Sequence, residues 1–163
     1  MKELLDKISS YNLFNYLLPG SLYLGYLNYA TSLELEDENL IFVGFLGYFL
    51  GLTISRVGSL VVEPILRKMK LVVFKDYKKY VKASFKDETL VVLSEQNNTY
   101  RSLTALILVV LLTSIFNWIV IKLEWELYTV LVVVLFILLA LFIAAYRKQT
   151  KYISDRVDAN EEG

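Results

Sequence analysis

Four apolar blocks, each long enough to cross a bilayer as a helix, divide this 163-residue chain, and charged segments separate them. The blocks run over about 13–30, 40–62, 103–121 and 127–146. A spanning helix needs ~20 mostly apolar residues, and in lipid a helix satisfies its own backbone polar groups. The chain is 56% hydrophobic yet 21% charged, and these residues segregate along the sequence. The expected fold is therefore an all-α integral membrane protein, a single domain over 1–163. It is a four-transmembrane-helix bundle with a cytoplasmic helical hairpin between helices 2 and 3. The first block is the most polar, with Tyr16, Tyr23, Tyr26, Asn28 and Tyr29. It is longer than a signal-peptide core, and Asn28-Tyr29-Ala30 is a poor cleavage site, so a retained span is expected. Pro19 is read as opening that span after a short interfacial segment over 11–18.

The distribution of Lys and Arg sets the orientation. The segment Glu34-Leu35-Glu36-Asp37-Glu38-Asn39 has no basic residue, and the short third loop has only Lys122. The 63–102 loop holds nine, the N-terminus adds Lys2 and Lys7, and the 147–163 tail adds Arg147, Lys148, Lys151 and Arg156. With Arg56 set aside as intramembrane, fifteen basic residues lie on one side and one on the other. Positive-inside bias then puts both termini and the long loop in the cytoplasm. Trp118 and Trp125 flank the third loop, where an outer interfacial belt is expected.

The second block carries the most distinctive pattern. Gly44, Gly47, Gly51, Ser55 and Gly58 recur at spacings of 3, 4, 4 and 3, one stripe along a helix. Small residues let a second helix approach closely, so the stripe is a candidate helix-packing face, within the chain or between copies. Arg56 interrupts the same block, and Glu63 lies at its edge. A charge there either snorkels, joins a structural ion pair or lines a cavity. Glu63 acting through a third group is one candidate partner for Arg56; Asn12 or Asn15 is another.

The loop 63–102 is too long for a bare connection. After Pro64, Phe74, Tyr77, Val81 and Phe85 recur on one face, and Lys75, Lys79, Lys82 and Lys86 on another. This reads as a basic amphipathic helix, with a second helix expected around 87–96. The basic face suits anionic lipid, an acidic soluble partner or a phosphate-bearing ligand. No glycine-rich phosphate loop or nucleic-acid module accompanies it.

Catalysis finds little support. The sequence has no Cys and no His, which removes thiolate and imidazole chemistry along with the usual metal ligands. No Asp or Glu lies inside the four blocks, so no intramembrane acid dyad or proton relay is visible. No enzyme activity, cofactor or metal is expected.

The run Tyr11-Asn12-Leu13-Phe14-Asn15-Tyr16-Leu17-Leu18-Pro19-Gly20 resembles the start of many small bacterial multi-span membrane proteins of unknown function. Ser55-Arg56-Val57-Gly58-Ser59, Glu63-Pro64 and Asn97-Asn98-Thr99-Tyr100-Arg101 resemble the same group. The resemblance implies a bacterial inner membrane. Some similar proteins belong to anti-phage defence operons, as membrane sensors or as effectors that depolarise the cell. Two functions are expected from the residues and the resemblance together. One is a homo-oligomeric effector or channel-like component gated through the cytoplasmic loop. The other is a non-conducting anchor or sensor that recruits a soluble partner through the basic helix. A plainer third is an accessory subunit of a larger complex.

Overall fold

The computed structural model describes residues 2–31 and 39–161, with side chains over 13–31 and 39–159. The acidic residues of the first loop fall outside that description, as do the side chains of Lys2, Lys7 and Asn12. The described chain is all helical: α1 (Lys2–Ala30), α2 (Leu40–Val57), a π-helical turn (Gly58–Val62), α3 (Glu63–Lys68), α4 (Tyr77–Ser84), α5 (Thr89–Lys122) and α6 (Leu127–Glu161). Among the described residues, three helical runs are long and apolar enough to cross a membrane: Leu40–Lys68, Thr89–Lys122 and Leu127–Ala159. The first block, in α1, is not among them.

Pro19 lies inside α1 rather than opening a helix there. A mid-helix proline forfeits the bond to the carbonyl four residues back. The dense packing of α1 on α2 offsets that loss, and the helix continues.

The helix that carries the second block does not stop at residue 62. α2, the π turn and α3 form one continuous helical run of 29 residues. Pro64 accounts for the widened turn, because it has no amide proton and its ring crowds the carbonyl four residues earlier. The Glu63 amide donates to the Gly58 carbonyl, an i to i−5 bond. In that π register, the Ser59 carbonyl would take its bond from residue 64, where proline has no proton to give. The sequence itself thus creates an orphaned acceptor next to Glu63.

The expected pair of helices in the 63–102 loop takes a different form. Only α4 is a separate helix, eight residues long, so Lys75 and Lys86 lie just outside it. The stretch expected as a second helix around 87–96 is instead the beginning of α5, which runs unbroken from Thr89. Residues 89–102 contain neither Pro nor Gly, so nothing separates them from the apolar block that follows. The tail is likewise helical: α6 passes residue 146 and reaches Glu161.

α3 and α5 end in the same way. Lys70 (φ 59°) and Glu124 (φ 52°) adopt the left-handed conformation. The Leu71 amide then donates to Leu66 O (3.0 Å) and the Trp125 amide to Val120 O (3.1 Å). These bonds satisfy carbonyls that a helix end leaves open, and they turn the chain sharply.

α1 packs most extensively on α2; α5 touches α1, α2 and the π turn; α6 touches α2, the π turn and α4. The small buried cluster of Ile54, Val62, Ala105 and Leu106 sits between α2, the π turn and α5. No part of the most apolar window of α6 is buried within the chain. Such a surface is stable in hydrocarbon and not in water.

Candidate functional site

The seam between α1 and α2 is built from backbone contact. A Cβ added at Gly20 would fall on the Gly47 carbonyl and lie 2.6 Å from the Gly51 amide nitrogen. One added at Gly51 would collide with the Tyr16 carbonyl and lie 3.0 Å from Tyr16 Cα. Only glycine permits this approach, and Gly20 is the partner that the sequence reading did not name. The five small residues of the stripe therefore serve different neighbours. Gly47 and Gly51 face α1, Ser55 is buried, and Gly58 faces Arg101 and Ala105 of α5. Gly44 has nothing near it, and it lines an open groove of about 500 Å³ with Leu17, Ser21, Gly25 and Asn28.

Three tyrosines of α1 also find partners on neighbouring helices, while Asn15 Oδ1 is buried without a hydrogen-bond partner. Tyr23 and Tyr26 share hydrogen bonds with Thr113 and Ser114 of α5, each at 2.7 Å. Arg56 donates through Nη2 to the Tyr16 hydroxyl at 3.2 Å. Of the partners considered for Arg56 in the sequence, Glu63 and Asn15 give way to a tyrosine beside Asn15, and the Asn12 side chain lies outside the described residues. Tyr16 is fixed in turn by an edge-on contact with Tyr48 (5.5 Å).

Glu63 is the centre of the most highly charged part of the fold. Its residue exposure is 7%, so it is buried rather than solvated at an edge. Arg101 Nη1 of α5 donates to Oε2 at 2.9 Å. Lys148 Nζ of α6 approaches Oε1 at 3.5 Å, and Arg67 Nη1, one turn along α3, approaches it at 3.9 Å. Lys148 Nζ also donates to the Ser59 carbonyl at 2.7 Å, supplying the bond that Pro64 withholds. Gly58 makes the arrangement possible, since a Cβ there would stand 3.2 Å from the Arg101 carbonyl and hold α5 away. One proline thus opens a turn whose carbonyl and neighbouring carboxylate bind α5 and α6 to the second helical run.

This coupling has a direct test. Lys148→Met should destabilise the protein by about 1–2 kcal/mol, because it strands the buried carbonyl and weakens a charge pair. In a Pro64→Ala background residue 64 regains its amide proton, and the cost of Lys148→Met should fall by about 1 kcal/mol. Thermal unfolding of the four variants in one detergent measures that difference.

α4 lies across the same end of the bundle. Asp76 caps it by accepting from the Lys79 amide (3.3 Å), and Val81 is almost fully buried. Tyr77 stacks on Tyr152 of α6 at 5.0 Å, and Lys78 pairs with Asp158 at 3.7 Å. The helix is therefore held by one face, while Lys75, Lys79, Lys82 and Lys86 are exposed. Met69, Leu71, Val73 and Phe85 are exposed beside them.

The sequence pointed to Glu63 and Arg56 but not to Arg101, Lys148 and Ser59 around Glu63, nor to Tyr16 as the partner of Arg56. A signal was present. Glu63, Arg101 and Lys148 each lie within two residues of an end of blocks two, three and four, and those ends must share one membrane level. Among the described residues no cluster of acids suited to holding a metal ion occurs. No protein-family model, curated protein or solved structure matches the chain.

Proposed function

We propose that the chain is a four-span bacterial inner-membrane protein with cytoplasmic termini that acts as an anchor, recruiting an acidic soluble protein through segment 69–88. One observation carries this reading. Arg56, Tyr23, Tyr26, Gly47 and Gly51 in the membrane-embedded part are engaged within the chain, whereas Lys75, Lys79 and Lys86 and the apolar Met69, Leu71, Val73 and Phe85 around α4 are exposed. An apolar centre rimmed by charge is the usual anatomy of a protein interface. The pairing of Tyr23 and Tyr26 with α5 hydroxyls supports α1 as the fourth span, since it satisfies polar groups that lipid cannot.

The effector or channel-like reading needs a polar face free to line a pore or join copies. Arg56 and the Gly47–Gly51 face are engaged by α1, which favours the anchor. Reversing Lys75, Lys79 and Lys86 to Glu should abolish recovery of the partner with the membrane fraction, while the protein stays folded. Unchanged recovery contradicts the reading. Purified protein in liposomes should give no ion or dye flux above that of empty liposomes, and sustained flux would favour the effector.

A further inference from the structure

The geometry points to a binding site for a phosphate group between α3, α5 and α6, formed by Arg67, Arg101 and Lys148 around Glu63. The inference goes beyond recruitment and holds whether or not a soluble partner is bound. Three cationic heads lie within 3.9 Å of a single carboxylate, which leaves two positive charges uncompensated by it. Among the described residues, Glu63 is the acid that all three share. Arg101 Nε is buried without a hydrogen-bond partner, so part of its donor set is desolvated and unused. The Arg67 side chain is 54% exposed, and its distance from Glu63 is too long for a hydrogen bond. Its guanidinium rests on the Phe74 ring (5.3 Å from the centroid), on the exposed side of the cluster.

These features suit an anion with several acceptor oxygens. Guanidinium forks match phosphate geometry, and a lysine adds a compact charge from a third direction. Glu63 orients the three cations and also keeps their net charge low enough to persist in a partly buried place. The site sits beside the ends of the second, third and fourth apolar blocks, which is the level where lipid phosphates lie. The same donors would accept a soluble phosphate, and the two sources differ only in how the group is delivered.

Thermal unfolding in nanodiscs distinguishes the sources. The wild-type melting temperature should rise when phosphatidylglycerol replaces part of the phosphatidylcholine. Arg67→Gln should remove most of that rise, with about tenfold weaker retention of phosphatidylglycerol by native mass spectrometry. Lys79→Gln, which removes one positive charge elsewhere, should keep it. A rise produced equally by inorganic phosphate in pure phosphatidylcholine discs supports the site and assigns its ligand to solution. Equal losses in Arg67→Gln and Lys79→Gln overturn the site in favour of a diffuse surface charge effect. No rise with either ligand also overturns it.

Discussion

Gly51→Leu is expected to unseat α1 from α2 and to lower stability by about 3 kcal/mol or more. Overpacking ordinarily costs about 1–3 kcal/mol because neighbouring side chains can shift. Here the obstacle is the Tyr16 backbone, which moves only if the whole of α1 moves. The displacement also breaks the Arg56–Tyr16 bond and carries Tyr23 and Tyr26 away from α5. Gly44→Ala supplies the control on the same stripe. Nothing lies near its Cβ position, so it should be neutral or stabilise the helix by up to about 1 kcal/mol. Reversible unfolding in mixed micelles measures both. Equal losses at the two positions would mean that the stripe is not divided between a packed half and an open half.

Glu63→Gln is the second large effect. The substitution keeps shape and removes charge, leaving Arg101, Lys148 and Arg67 facing one another. Breaking a buried pair by deleting one partner costs about 3–5 kcal/mol. Arg101 and Lys148 are about a quarter exposed or less, and Arg67 is more than half exposed. Solvent relieves part of the repulsion, so a loss near about 3 kcal/mol is expected. Arg67→Gln should cost less than about 1 kcal/mol, because its pair with Glu63 is long and solvated. The ranking Glu63 over Arg101 over Arg67 is the outcome to check by thermal unfolding.

Helicity was legible in the sequence because block length and segregation of charge report it directly. Three of the blocks lie in helical runs long and apolar enough to cross a membrane. Element ends were less legible. The helix through block two runs on to Lys68, because Pro64 alters the hydrogen-bond register instead of ending the helix. The separate helix expected at 87–96 merges into α5, since polarity alone does not break a helix that lacks Pro and Gly. The glycine pattern located a packing face but not its occupants. Gly20 follows a proline and belongs to no small-residue stripe in the first block, and only the antiparallel packing of α1 on α2 brings it to Gly47. Arg101 and Lys148 were counted as parts of a charge gradient, which describes their side of the membrane and not their partner. Long-range pairs such as Glu63 with Lys148 leave no local periodicity, so they become visible only when block ends are aligned at one depth.

The turn opened by Pro64 presents Glu63 to the basic residues of α5 and α6 and locks those helices together. A double-mutant cycle on Glu63→Gln and Arg101→Gln, measured by reversible unfolding in nanodiscs, tests it most directly. The double variant should be scarcely less stable than Glu63→Gln alone, with a coupling energy of about 2 kcal/mol. Losses that add to within about 0.5 kcal/mol would show that the two side chains act independently, and would contradict it.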